Sequence, residues 1–519
     1  MKKLLILAAG VGSRMESYTN QINKGLLPIG GKAVISHVIE NCDVDEIVLA
    51  LGYKSEQIVD YCKTLHPDKK IKFVIVDNYD KPGSGPGYSM YCCKNELQCP
   101  FYIATADSFI GKTLPAIDQN WIGISKVDDL ENYSTCKVEN GKLVDFKNKS
   151  KDSYEYAYTG IAAIKDYDKF WEKFESHKRS KGEKEVENVV VFYKPFFADI
   201  FAKEISWIDV GRKSLYEELN KKTKGMAHYE LKKIDIDEFT YKVNNKVAKI
   251  NLPEKIKLKK QRAEMLSNLI ESSINSDCEN LICHNFIEGK TLYEVDNIEV
   301  FEKFLLWLEK NLFNKTEPKY DNFKKNCLSF YKEKTFKRVK DYINKNLNYK
   351  NNIIIDNINV SNIYTILENI NWEKISDMGI CSIFHGDLNF GNVIYTKNNS
   401  FKLIDWRSDF EGALLGDSYY DLAKLYAGTN VNFSLANEES DPFSNEENKY
   451  ILKVFQTKNN SKFLELYESW IIKNYDLSHV KTIAALSYLN MSPLHPEKFG
   501  QYLFLKGFLE LFKVTHDTF

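Results

Sequence analysis

Four residues near the start of the chain have the types and spacing to grip a polyphosphate. Gly10 and Gly12, in LAAGVGSRM, let the backbone approach an anion closely and offer it N–H donors. Arg14 adds a planar fork for phosphate oxygens, and Lys24, in KGLLPIGGK, a point charge for the same anion. A glycine-rich strand-to-helix turn carrying two solvated cations would look the same, and the spacing alone leaves both readings open. Gly111-Lys112-Thr113 imitates the end of a P-loop, but Ala106 stands where the earlier glycine is needed, so it reads as a plain loop.

Such a loop needs a strand and a helix to hold it, and the surrounding sequence supplies them in alternation. LLILA, DEIVLAL, KFVIVDN and PFYIATAD read as strands, while KAVISHVIENC and SEQIVDYCKTL read as helices. This alternation predicts an α/β domain, a doubly wound, mainly parallel, Rossmann-like sheet wrapped by helices. Ligands in such sheets bind at the carboxyl ends of the strands, where the loop after Ala8 and Asp107 both fall. The pattern fades after Gly211, which predicts a first domain over 1–225 and a second over 226–519. Beyond the boundary, EFTYKV and KVAKI read as a hairpin about Asn244-Asn245, KLKKQRAEMLSNLIE as a helix and LICHNFIEG as a strand entering a turn. From about residue 298 the chain is mostly helical and rich in Lys and Asn, a bias from which no function follows.

The stretch from Leu7 to Lys32 resembles the nucleotide-binding signature of sugar-phosphate and choline-phosphate nucleotidyltransferases, L-A-A/G-G-x-G-S/T-R-M/L followed by K-P-L-L-P-I, with Gly25 replacing the usual proline. The resemblance extends over roughly residues 1–222 and implies a role for each matching position. Leu7, Ala8, Ala9, Gly10 and Gly12 would bind the nucleotide, and Gly83, Ser84 and Gly85 of PGSGPG would hold its base. Arg14 and Lys24 would serve the phosphates as catalytic cations, and Asp107 and Asp209, the latter in SWIDVG, would bind Mg2+. The implied reaction is attack of a phosphomonoester on the α-phosphate of an NTP with loss of pyrophosphate, for which placed charge supplies most of the catalysis.

SIFHGDLNFGNVIY followed by FKLIDW puts Asp387 and Asn392 at the D-x-x-x-x-N spacing of a kinase catalytic loop, with Asp405 on a short apolar strand. The H-G-D and I-D-W variants resemble the aminoglycoside phosphotransferase and choline kinase superfamily, over roughly residues 235–519. This implies a bilobal, protein-kinase-like domain with a mostly helical large lobe. Asp387 would accept the proton of a substrate hydroxyl, and Asn392 and Asp405 would bind Mg2+. Lys249 would hold the α/β-phosphates of ATP with Glu264 as its partner, although a solvated strand lysine would read alike. Glu288 and Gly289 in FIEGKTL would form the adenine hinge, Asp417 and Asp421 would support the loop from a helix, and His385 would order it by hydrogen bonding.

Bulk properties bound these readings. A net charge of −1 over 519 residues gives no general attraction to nucleic acid or anionic membrane. Ten scattered cysteines without metal spacing read as reduced thiols. The opening MKKLLILAAG imitates a signal peptide, but its short apolar run leads directly into the glycine loop, so a cytoplasmic location is expected. The combined expectation is a bifunctional enzyme that uses ATP to phosphorylate a small alcohol and then an NTP, CTP favoured, to activate the phosphomonoester, for a bacterial surface polysaccharide. Choline or ethanolamine with CTP, a sugar with a uridylyltransferase, and a regulatory protein with one inactive head are the alternatives. The partners would be the alcohol, its phosphomonoester and nucleotides, with oligomeric state left open.

Overall fold

Leu4, Ile6 and Ala8 enter one apolar cluster while Leu5, Leu7 and Ala9 enter another. A period-two strand gains this two-faced burial when helices cover both sides of its sheet. The computed structural model describes residues 1–81, 84–181, 200–223, 238–271, 278–313, 316–346, 349, 352–495 and 497–516. It divides into two units, residues 1–252 with 278–283, and residues 253–277 with 284–519.

In the first unit the strand Lys3–Ala8 lies between Glu46–Leu51 and Phe101–Thr105, parallel to both, and Ile71–Ile75 extends the parallel set beyond Glu46–Leu51. The chain order therefore reverses beside Lys3–Ala8, which opens a crevice at the carboxyl ends of these strands. Helices Val34–Glu40 and Ser55–Leu65 contribute to one apolar cluster, and Pro86–Cys92 and Tyr167–Lys181 to the other.

The expectation of a mainly parallel sheet needs correction. Beyond Phe101–Thr105 the described sheet continues with Tyr156–Ile164, Trp121–Ser125, Phe201–Glu204, Lys142–Lys147 and Thr135–Glu139, and most of these pairings are antiparallel. The one parallel pairing among these described strands, Phe201–Glu204 with Trp121–Ser125, follows the segment that carries the helix Tyr167–Lys181. Asn140 and Gly141, both at positive φ, close Thr135–Glu139 onto Lys142–Lys147 in a two-residue turn.

The boundary expected at 225/226 lies outside the described residues. The hairpin that follows it, Phe239–Val243 with Lys246–Ile250, belongs to the first unit rather than opening the second. The reason is local bonding. Lys242 N–H donates to the Gly31 carbonyl at 2.7 Å, Tyr241 Oη to the Leu26 carbonyl at 2.6 Å, and Lys246 Nζ to the Thr64 carbonyl at 3.0 Å. Phe239, Tyr241, Val243, Ala248 and Ile250 join the same apolar cluster as Leu4 and Ile6.

The second unit is mainly helical. Its core helix, Ser418–Asn430, buries Leu422, Ala423, Leu425 and Ala427 completely. Tyr467 Oη donates to the Leu422 carbonyl at 3.0 Å and Tyr488 Oη to the Ala427 carbonyl at 2.9 Å, which binds helices Asn460–Asn474 and Leu477–Met491 to it. A three-stranded sheet, Gly289–Thr291, Val393–Thr396 and Phe401–Leu403, holds the segments on either side of residue 400. All ten cysteines are free thiols, and no helix among the described residues is long and apolar enough to cross a membrane.

Candidate active sites

Asp107 and Asp209, 102 positions apart, come together through a pair of short strands. Ser108–Ile110 pairs antiparallel with Trp207–Asp209 so that Asp209 faces Ser108, and Val210 N–H donates to the Asp107 carbonyl at 2.9 Å. A Cβ placed on Gly211 would meet Asp209 Oδ1 at 3.0 Å and Asp107 Oδ2 closer still, so the two carboxylates converge on one point. Lys24 Nζ reaches Asp107 Oδ2 at 2.8 Å, while Arg14 Nη1 stands 3.9 Å from Asp209 Oδ2.

The loop carrying these cations is built from specific backbone demands. Gly12 sits at φ 75°, where an added Cβ would press on Thr19 and Lys24. Gly25 lets the Lys24 turn approach Ala106, whose Cβ would lie 3.0 Å from one placed there. Asn23, which sequence reasoning missed, pins that turn. Its side chain donates to the Ala8 carbonyl at 3.2 Å and to Tyr53 at 2.6 Å, and accepts from Gly25 N–H at 2.9 Å. An asparagine ahead of a short helix was the available signal. The carbonyls of Leu7 and Ala9 accept from Ala106 and Tyr53 at 3.1 and 3.0 Å, while Gly10 is exposed with open space around it. In the second glycine segment, Ser84 Oγ donates to the Tyr79 carbonyl at 2.8 Å and Gly85 precedes the helix Pro86–Cys92. Gly83 lies outside the described residues.

Burial pushes the Asp107 carboxyl up, but the Lys24 ammonium and the Thr105 hydroxyl outweigh it and hold the group below the usual range. Asp209 is raised, by burial and then by the negative charge of Asp107. Two like charges facing each other are a strain that a divalent cation would relieve. No third acid, histidine or cysteine joins them among the described residues. A pair of oxygen donors with room for water and phosphate oxygens suits Mg2+. An open cleft of about 390 Å3, lined by Arg14, Arg212, Lys213, Ser214 and Glu217, adjoins through Arg14. Arg212 is held there by Asp129 and by Tyr133 Oη at 3.2 Å.

In the second unit, one loop brings Asp387 and Asn392 together. Asn392 Nδ2 donates to the Asp387 carbonyl at 2.8 Å and to its Oδ2 at 3.0 Å, which leaves Asn392 Oδ1 as the acceptor open to a cation. Lys424 Nζ takes the other carboxylate oxygen, Oδ1, at 2.8 Å. Asp405 runs alongside, since Ile404 N–H donates to the Asn392 carbonyl and Arg407 N–H to the His385 carbonyl, each at 3.0 Å. Its backbone, at φ 64°, is in the left-handed region uncommon for residues other than glycine. One carboxylate and one amide oxygen, both hard donors, fit Mg2+ there too.

His385 is buried and fixed at both nitrogens. Nδ1 accepts from Asp387 N–H at 3.2 Å and Nε2 donates to the Ile404 carbonyl at 2.9 Å. Burial lowers its pKa to about 4, so the ring is neutral and serves as a strut. Asp421 receives the N–H groups of His385 and, at 2.7 Å, Gly386. Asp417 caps its helix by accepting from Tyr419 N–H at 3.0 Å, and from Ile380 N–H and Tyr331 Oη at 2.9 and 2.8 Å. Sequence reasoning missed Arg262. This fully buried guanidinium covers the Phe384 ring at 3.9 Å and donates to the carbonyls of Phe384 and, at 3.3 Å, Leu414. A single arginine in a lysine-rich helix gives no sign of burial.

The contacts give Lys249 a partner other than the one expected. Lys249, buried in the first unit, has Glu238 at 2.8 Å as its ion-pair partner, whereas Glu264 is an exposed residue of the second unit. The extended approach to the hairpin places Glu238 beside Lys249's strand, and that register could not be read from spacing. Glu288 points outward to Lys397 at 2.6 Å, so its side chain is occupied at the surface.

The first unit holds the glycine loop and the paired acids, and residues 4–111 match the MobA-like NTP transferase domain. The N-terminal part of the chain is thus an NTP transferase domain related to sugar-phosphate nucleotidyltransferases. Among its relatives, Bifunctional protein GlmU of Methanococcus maripaludis is 29% identical over 152 residues, covering 28% of this chain and 35% of that protein. D-glycero-alpha-D-manno-heptose 1-phosphate guanylyltransferase of Campylobacter jejuni is 27% identical over 147 residues, covering 27% of this chain and 65% of that protein. A probable glucose-1-phosphate cytidylyltransferase of Bacillus subtilis is 44% identical over 62 residues, covering 11% and 24% respectively. The chain spans about a third of the length of the first of these relatives.

Proposed function

We propose that the first unit transfers a nucleotidyl group from an NTP to a small phosphomonoester, and that the second unit makes such a phosphomonoester by phosphorylating an alcohol with ATP. The observation that carries the first half is the convergence of Asp107 and Asp209 about Gly211, with Lys24 on one and Arg14 beside the other. An oxygen of the phosphomonoester attacks the α-phosphorus, the α–β anhydride bond breaks, and pyrophosphate departs with the electron pair. Gly10 and Gly12 leave room for the triphosphate, and the cations of the adjoining cleft neutralise it. Asp107 and Asp209 would hold Mg2+, which supplies positive charge to the phosphate oxygens when bound. CTP is the favoured nucleotide and choline phosphate or a sugar phosphate the acceptor. The cytidylyltransferase relative supports this choice, while the guanylyltransferase relative shows that nucleotide preference varies among proteins of similar sequence.

For the second unit the support is the loop geometry. Asp387 is oriented by Asn392 and Lys424, and the neutral His385 holds its backbone N–H. Its carboxylate takes the proton of the substrate hydroxyl as that oxygen attacks the γ-phosphorus and ADP leaves, while Asn392 and Asp405 would hold Mg2+. The reading of two consecutive steps, feeding a bacterial surface polysaccharide in the cytoplasm, rests on the chemical match between the two reactions. The test incubates the full chain with ATP, each NTP in turn, Mg2+ and a panel of alcohols. Asp387→Asn is expected to lower ADP release at least about a thousandfold, the scale of removing a general base and its placement. Pyrophosphate release with supplied phosphomonoesters stays intact. Loss of both activities in that variant refutes two separate sites.

A further inference from the structure

Four cations gather near Asp387, and two of them, Lys334 and Arg407, face an aromatic ring rather than an acid. Lys424, almost fully buried, bonds Asp387 Oδ1 and also reaches Met491 Sδ at 3.2 Å. Arg338 donates to the carbonyl of the neighbouring Asn490 at 2.6 Å, and Asn490 Nδ2 donates back to Thr335 Oγ1 at 2.7 Å on the same helix. One turn before Arg338, Lys334 places its Nζ 3.7 Å from the centre of the Phe330 ring. Arg407 approaches that same ring at 5.0 Å, and its Cβ and Cδ lie within 3.2 Å of where a Cβ on Gly386 would sit, next to Asp387.

Acids near Lys334 and Arg407 are engaged by other groups. Asp387 is engaged by Lys424. Asp409 accepts from Lys255 at 2.7 Å, from Ser408 Oγ at 2.7 Å and from Gly412 N–H at 2.9 Å. Glu411 is exposed and takes Ser329 Oγ at 3.1 Å. Lys334 and Arg407 make no ion pair among the described residues, and an aromatic face compensates an ammonium or guanidinium only in part. Burial, and then the charges of Arg407 and Arg338, push the Lys334 pKa well down against a smaller opposing pull from Glu411.

We propose that Lys334, Arg338 and Arg407 form the acceptor subsite of the second unit, and that it takes a small alcohol bearing a carboxylate or phosphate group. This rests on the kinase reading of Asp387. The anionic group binds the cations while the hydroxyl is presented to the Asp387 carboxylate. Its O–H proton passes to that carboxylate, its oxygen bonds to the γ-phosphorus of ATP, and the β–γ bond breaks as ADP departs. A cationic amino alcohol such as choline would be repelled by the same charges.

The test measures ADP release by the full chain at saturating ATP and Mg2+ with D-glycerate, sn-glycerol 3-phosphate, glycerol and choline. At least one anionic alcohol is expected to have a KM tenfold or more below those of glycerol and choline. Lys334→Gln and Arg407→Gln are each expected to raise that KM about tenfold or more, the scale of a lost charge-assisted hydrogen bond, with kcat preserved. The two anions distinguish carboxylate from phosphate recognition. Phosphorylation of choline or glycerol with a KM at or below those of the anions overturns the inference and leaves the kinase reading standing. If no alcohol releases ADP, melting is followed with a non-hydrolysable ATP analogue and D-glycerate or glycerol 3-phosphate. A rise abolished by Lys334→Gln then supports the anion subsite and refutes the kinase reading, and no rise overturns the subsite.

Discussion

Adding one methyl group at Gly211 should disable the first unit's chemistry with little damage to its fold. The new Cβ would meet Asp209 Oδ1 at 3.0 Å, Asp107 Cγ at 3.2 Å, and Asp107 Oδ2 nearer than either. An ordinary carbon–oxygen contact is about 3.3 Å, so both carboxylates must retreat, with a combined displacement on the order of 1 Å. Asp107 cannot swing freely, because Lys24 holds its Oδ2 at 2.8 Å, and Asp209 Oδ1 is held by Gly211 N–H at 3.0 Å. A Mg2+ site tolerates only about 0.2 Å in its ligand distances, and a 1 Å misplacement of a catalytic group costs on the order of a hundredfold in rate. Gly211→Ala is therefore expected to lower kcat for pyrophosphate release at least a hundredfold, since about 1 Å is the displacement worked above. Overpacking should take about 1–3 kcal/mol from stability, which denaturant titration would register. The ADP release proposed for the second unit serves as the internal control and should be unchanged. A variant within fivefold of wild type would refute the argument that these carboxylates act at one shared point.

Lys24→Gln removes the cation that holds the Asp107 carboxyl down, so the acid limb of the nucleotidyl-transfer pH profile should move to higher pH. Loss of the charge-assisted bond, about 1.5–3 kcal/mol, should lower kcat/KM roughly 10- to 100-fold. His385 binds a proton near pH 6.5 when unfolded but only near pH 4 when folded, so its contribution is present above about pH 6.5 and is lost as pH falls toward 4. Asp417 and Asp421, raised to about 6 and about 7, act in the opposite sense, so the stability difference between wild type and His385→Asn is the quantity to follow. That difference should shrink by up to about 3 kcal/mol between pH 6.5 and 4 in denaturant titrations. Tyr241→Phe leaves the buried Leu26 carbonyl without its 2.6 Å partner and should destabilise the first unit by about 1–3 kcal/mol, seen in thermal unfolding.

What could be read from the sequence was what neighbouring residues determine together. The buried strand Lys3–Ala8, its glycine loop and the two-residue hairpin at Asn244-Asn245 are local patterns, and each took the expected form. Asp107 and Asp209 could be nominated singly, because each sits in a short motif, YIATAD and SWIDVG, that carries the family resemblance. Their convergence depends on the pairing of Ser108–Ile110 with Trp207–Asp209, and no local pattern specifies a partner about 100 residues away. The antiparallel half of the sheet was hidden for a related reason. Strands such as Trp121–Ser125 and Tyr156–Ile164 look alike in either direction, and their antiparallel pairing across the intervening hairpin is a long-range choice that no local pattern states.

The basic residues near Asp387 were hidden by composition. Lys334 and Arg338 sit among Lys332, Lys337 and Lys340, and a run of this kind reads as a solvated face. The fold separates them by where their helix turns. Lys332, Lys337 and Lys340 are exposed, while Lys334 and Arg338, four apart, share the face that meets Phe330 and Asn490. A lysine at the surface gains little from any one partner. A half-buried lysine beside two arginines pays a desolvation penalty unless an anion arrives. The proposed acceptor charge therefore rests on a cationic face that the sequence conceals and that the helix geometry makes accessible to experiment.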